Sequence, residues 1–233
     1  MKNYIKKITV FVLTLVFAFS YATYAYASEM TPRISFSATM QIVSRPSTDD
    51  SSNSSGALGH SFLIIKNVGV STIKIGHMSV AVGDSITVGT FNKRENHTGI
   101  WYNLEGNQGS KGTSYGLTCG LTGAQITTVT DTINAHNEWS VTKNCSYFAK
   151  TVWNSVNSSA KLSGNDPLTL ANNIKKINGY VTNPSIPKKN RSQVAIHTST
   201  GLKYPYKSKS LAPDVYSFSS IDKENEQEQI VAI

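Results

Sequence analysis

Two hydrophobic periods occupy separate parts of this chain, and their order limits its architecture more than any other feature. Between residues 34 and 105, apolar and polar side chains alternate in the runs ISFSATMQIVS, HSFLIIK, TIKIGHMSVAV, SITVGTF and GIWYNLE. A period of two is that of a strand with one buried face, and the Gly, Asn and Asp between the runs are turn formers. Helical spacing appears only later, in AQITTVTDTINAHNEW, NCSYFAKTVWNSV and DPLTLANNIKKING. NQGSKGTSYGLTCGLTG, between the two regimes, reads as a long Gly-rich loop with room for one strand. Strands first and helices after predict an α+β domain, a meander of antiparallel strands with helices packed on one face.

The ends read differently. MKNYIKKITVFVLTLVFAFSYATYAYA opens with lysines, continues through an apolar stretch from Ile8 to Phe19 and ends in Ala25-Tyr26-Ala27. That is the pattern of a secretory signal peptide with cleavage after Ala27, and the apolar stretch is shorter than the roughly 20 residues a membrane span needs. The expectation is a secreted, extracytoplasmic protein with no transmembrane segment in the mature chain and no lipid anchor at the cleavage point. Residues 28–183 are expected to form the folded domain and 184–206 its C-terminal extension. The tail 207–233, which contains KENEQEQ, lacks core-forming side chains and is expected to be largely disordered.

Loss of Lys2, Lys6 and Lys7 with the signal lowers the formal charge from +8 to +5. Solubility alone accounts for such a balance; an anionic cell-envelope surface also suits it, and Lys188, Lys189, Arg191, Lys203, Lys207 and Lys209 form a diffuse basic region. No phosphate loop or repeat is visible, and no interleaving of basic and aromatic residues points to nucleic acid.

The chain has five histidines, and two of them head apolar strand faces in GHSFLIIKNVGVSTIKIGHMSV, residues 59–80. His60, Phe62 and Ile64 share one face; Ile73, Ile75 and His77 share another. A hairpin turning over residues 67–70 would set Ile64 opposite Ile73, Phe62 opposite Ile75, and His60 opposite His77. Burying imidazoles without partners costs about 1–3 kcal/mol each, so such a pair is either bonded to backbone carbonyls or functional.

There are two cysteines, Cys119 and Cys145. Either they form one disulfide or at least one is a working thiol. Asn144 is a favoured N-cap residue, which makes Cys145 the first residue of a helix whose Cys145, Phe148, Ala149, Val152 and Val156 face the sheet. Free amides and the positive end of the helix dipole lower a thiol's pKa there. A cysteine so placed, facing a sheet that carries a histidine, suits nucleophilic thiol catalysis.

Gly59-His60-Ser61-Phe62-Leu63, then His77, then Asn144-Cys145 with Phe148 three positions on, resembles the circularly permuted papain-like cysteine hydrolases. That group includes NlpC-type cell-wall peptidases and the lecithin:retinol acyltransferase family. The resemblance covers about residues 57–157 and implies a permuted papain-like fold. It implies Cys145 as nucleophile, His60 as general base and His77 as the residue that orients His60, with the Cys145 N–H in an oxyanion hole and no cofactor. Ser146-Tyr147 stands where the acyltransferases commonly have Glu-His. The implied activity is hydrolysis or acyl transfer through a thioester, on a peptide or peptidoglycan amide first and an acyl-lipid ester or amide next.

The competing class is a noncatalytic secreted binding domain with a Cys119–Cys145 disulfide. His60, His77 and Cys145 are also suitable zinc ligand types, but no paired Cys or His-x-x-x-His spacing supports a metal. His97, His136 and His197 read as a solvated loop residue, a helix-end residue and part of a late strand. Trp101 and Tyr102 read as core, with a sugar- or acyl-binding wall as the alternative.

Overall fold

The computed structural model describes residues 35–47, 59–91, 99–107, 112–136, 138–198 and 201–207. The expected signal peptide, the loop around Ser51 to Gly56, His97 and the tail from 208 onward lie outside the described residues.

Among the described residues the structure is mixed α+β, with a large antiparallel sheet and three helices. Its strands are β1 (Ala38–Arg45), β2 (His60–Asn67), β3 (Ile73–Ile75), β4 (Met78–Val80), β5 (Ser85–Thr90), β6 (Ile100–Tyr102), β7 (Tyr115–Leu121), β8 (Val181–Thr182), β9 (Ala195–Thr198) and β10 (Gly201–Lys203). Eight of them form one sheet in the order β10-β9-β6-β5-β2-β1-β7-β8, while β3 and β4 pair as a separate ribbon. The helices are α1 (Gly123–Ala135), α2 (Cys145–Val156) and α3 (Pro167–Ile174). All three begin where the sequence carries a cap: Thr122 with Gln125 makes a capping box, Asn144 caps α2, and Asp166 caps α3 with Pro167 following.

Alternation along β2 divides the core. Leu63 and Ile65 face the helices, in a cluster with Met40, Ile42, Val129, Phe148, Val152 and Trp153. Phe62 and Ile64 face the other way with Val43, and Ile186 covers them. Tyr102 belongs to the helix-side core and is fully buried, which settles it as a core residue.

The second face is closed by the segment that follows β8. Asn183 N–H donates to the Ser114 carbonyl and Ser114 N–H returns a bond to Asn183 Oδ1. Farther along, Lys189 pairs with Asp84, and Asn103 Nδ2 donates to the Gln193 carbonyl at 3.0 Å. Both ends of this strap are therefore tied to the sheet or its connecting loops.

The expected β2–β3 hairpin is not formed. β2 pairs with β1 and β5, and His60 lies opposite Arg45. TIKIGHMSVAV is not one strand either: it folds on itself at Gly76-His77, with Ile75 opposite Met78. Gly76 has φ of 55°, and a Cβ there would come within 2.2 Å of the Tyr102 hydroxyl, so the chain turns where only glycine fits. Apolar patterning could not separate these registers, because β1 and β5 offer β2 equally apolar neighbours.

Candidate active site

Residue Cys145 opens α2. The Asn144 side chain accepts from Ser146 N–H and Tyr147 N–H, each at 3.1 Å, which caps the helix and leaves the Cys145 amide outside those two bonds. A run of buried hydroxyls ties this first turn to the sheet. Ser146 and Ser61 are 2.9 Å apart, Ser61 and Ser44 2.8 Å, and Ser44 donates to the Pro167 carbonyl at 2.7 Å. Ser61 points to the helices because its neighbour His60 points away from them. That alternation brings β1, β2, α2 and α3 together around one polar chain.

The residue at the start of β2, His60, is buried. Its ring stacks on Phe91 with centroids 4.3 Å apart and lies against Phe62 at 5.6 Å. Its Nε2 donates to Glu105 Oε1 at 3.4 Å, and its side chain also hydrogen-bonds Cys145. With Nε2 turned to the carboxylate, Nδ1 is the nitrogen left for the thiol.

Neither the histidine pair nor its spacing indicated Glu105. It sits in a short 3-10 turn, Glu105–Asn107, just after β6 and is buried. Asn103, at φ 62°, turns the chain off the strand, and Asn107 Nδ2 closes the turn onto the Asn103 carbonyl. Glu105 Oε2 accepts from Thr87 Oγ1 at 2.5 Å. Room for the carboxylate comes from Gly89: a Cβ there would lie 2.2 Å from Glu105 Oε1 and 3.1 Å from His60 Nε2. The available signal was a single acid closing an apolar strand, in Leu104-Glu105-Gly106.

Electrostatics separates the two titrating groups. Burial pulls the His60 imidazolium down, but hydrogen bonds to Cys145 and Glu105 and the charges of both outweigh it, and the group is pushed up to about 9. Burial pushes the Cys145 thiol up; the hydrogen bond and charge of His60 oppose it, with the Ser61 N–H and Ser146 hydroxyl helping, and the balance lies below a free thiol's range. The two shifts run in opposite directions, and both favour the thiolate–imidazolium form of the pair over the neutral one.

Of the residues singled out in the sequence, Cys145 and His60 are brought together and His77 is not. His77 lies exposed in the β3–β4 turn, its ring 4.2 Å from that of His197, and its N–H donates to the Tyr102 hydroxyl at 3.3 Å. Glu105 occupies the place expected of it, on the far side of His60.

Cys119 is a free thiol, as is Cys145, so no disulfide joins them. Cys119 lies on β7, accepts from Asn157 Nδ2 at 3.4 Å, and is held above its ordinary pKa by burial. Among the described residues no group of three or more His, Cys, Asp or Glu is placed to hold a metal, and no helix is long and apolar enough to cross a membrane. Compared with protein-family models, curated proteins and solved structures, the chain matches none.

Proposed function

We propose that this protein is an exported cysteine hydrolase or acyltransferase of permuted papain-like fold, acting on an amide, with cell-wall peptide as the first substrate class. One observation carries the reading: a cysteine that opens a helix, Cys145, hydrogen-bonds a buried histidine, His60, whose other nitrogen is held by a buried carboxylate, Glu105. That is nucleophile, base and orienting group in sequence.

The thiolate of Cys145 attacks the substrate carbonyl, and negative charge develops on its oxygen. The Cys145 N–H, at the positive end of α2, is the group to receive it. His60 then gives its proton to the leaving nitrogen as the C–N bond breaks and a thioester forms. Water, or a second acceptor in a transferase, loses a proton to His60, attacks the thioester and restores the thiol. Glu105 keeps Nε2 as the donor and stabilises the imidazolium throughout. A fatty-acyl ester or amide would pass through the same steps.

Alkylation tests the reading. Purified without reductant, the protein should react with iodoacetamide at Cys145 well below pH 8.5, the ordinary thiol value being about that. His60→Ala should remove this advantage. A Cys145 that reacts no faster than a free thiol, with or without His60, overturns the proposal. Digestion of purified cell wall, with Cys145→Ala as control, then tests the substrate class.

A further inference from the structure

Beside the catalytic residues, on the face of the sheet away from the helices, a pocket of about 480 Å³ opens between the sheet end and the strap. Arg45, Glu105, Ser114, Pro184, Ile186 and Lys188 are among its lining residues. The volume suits a small ligand or one residue of a larger one.

The end of β1 places Arg45 here, directly opposite His60. The residue is only 8% exposed, and its Nε is buried with no hydrogen-bond partner among the described residues. A buried donor left unpaired costs about 1–3 kcal/mol, and more when it is charged. Glu105 supplies opposite charge nearby, yet its Oε1 is engaged by His60 and its Oε2 by Thr87. Burial pulls the Arg45 guanidinium below its ordinary pKa range, and Glu105 pushes it back. Lys188, exposed on the strap, adds a second positive charge to the lining.

We infer that this pocket is a carboxylate-binding subsite in which Arg45 and Lys188 hold a free carboxylate of the peptide whose amide meets Cys145. The inference rests on the hydrolase reading for its catalytic meaning. With Arg45 and Lys188 positive and Glu105 negative, the charged lining sums to one positive charge, which matches a carboxylate better than a doubly charged phosphate. The planar fork of arginine fits a carboxylate edge-on. A substrate with such a group one or two bonds from the scissile amide would be positioned by the same wall that carries Glu105.

The test follows the Arg45 Nε–H signal by NMR in the full chain carrying Cys145→Ala. It is titrated with N-acetyl-D-alanine and, separately, with its carboxamide at matched ionic strength. The acid should shift this signal saturably and the amide at least about tenfold less effectively. Lys188→Ala, a change at an exposed side chain, should weaken the acid by about threefold, within the range of a screened surface charge. Arg45→Gln should abolish binding, read on neighbouring backbone amides, and Arg45→Lys should restore part of it. Equal response to acid and amide, or none to the acid, overturns the subsite. Thiol reactivity is measured separately on the unsubstituted protein. A reactive Cys145 without carboxylate binding removes the subsite alone; carboxylate binding beside an inert Cys145 supports the subsite and removes the hydrolase.

Discussion

Glu105 reaches His60 across the space that Gly89 leaves open, its Oε1 3.4 Å from Nε2, while its other oxygen is fixed by Thr87. The distance to His60 is long for a hydrogen bond; such contacts commonly shorten when substrate closes a catalytic site. This relationship makes Glu105 the group that sets the tautomer of His60, and it gives His77 no part in doing so.

Substituting the two residues separates these roles. Glu105→Gln should lower kcat by about 10-fold to 10⁴-fold, the upper figure being that seen when a triad carboxylate becomes an amide. His77→Ala, at an exposed turn whose ring lies against His197, should leave kcat within twofold. Turnover of a thioester-forming substrate measures both, and a large loss in His77→Ala would restore that histidine to the site.

Gly89→Ala is a test by crowding. The added methyl would meet Glu105 Oε1 at 2.2 Å in the present backbone, so Glu105 must leave His60 or β5 must shift. No catalytic group is deleted, yet Cys145 alkylation at neutral pH should slow toward that of His60→Ala. An unchanged rate would show that Glu105 can be displaced without consequence.

The pH profile follows from the two shifts. Cys145 lies below its ordinary value and His60 at about 9, so the thiolate–imidazolium form exists between them. Below that window sulfur is protonated; above it His60 has no proton for the leaving group. The ratio kcat/KM should rise with the ionisation of Cys145, at a pH below that of an ordinary thiol, and fall near pH 9 as His60 loses its proton. In His60→Ala the thiol should titrate at higher pH, as followed by thiolate absorbance.

The two cysteines should differ sharply. Cys119 is raised by burial and Cys145 is lowered by His60. One equivalent of iodoacetamide at pH 6.5, followed by peptide mapping, should label Cys145 and spare Cys119. Equal labelling would contradict the electrostatic difference.

The buried hydroxyl chain predicts a structural effect. Ser61→Val removes the donor and acceptor between Ser44 and Ser146 and adds bulk at a fully buried position. Each buried partner left unsatisfied costs about 1–3 kcal/mol, so a loss of about 2–5 kcal/mol is expected in denaturant unfolding. Ser61→Ala should cost less.

Local sequence was enough to determine the class of fold and the setting of Cys145. Period-two runs followed by helical runs dictated a sheet with helices on it, and Asn144 before Cys145 dictated a helix start, because alternation and capping act within a few residues. Strand pairing was another matter. β2 could satisfy its apolar face against several partners, and the choice of β1 and β5 is made by the whole sheet at once. That choice separated His77 from His60 and put Arg45 beside it. Glu105 belongs to the same category: 45 residues from His60 in sequence, it meets the ring only because β5 and β6 lie next to β2 in order and Gly89 carries no side chain. Chemistry carried by one helix turn is local; a carboxylate brought to an imidazole from another strand is a property of the packed sheet.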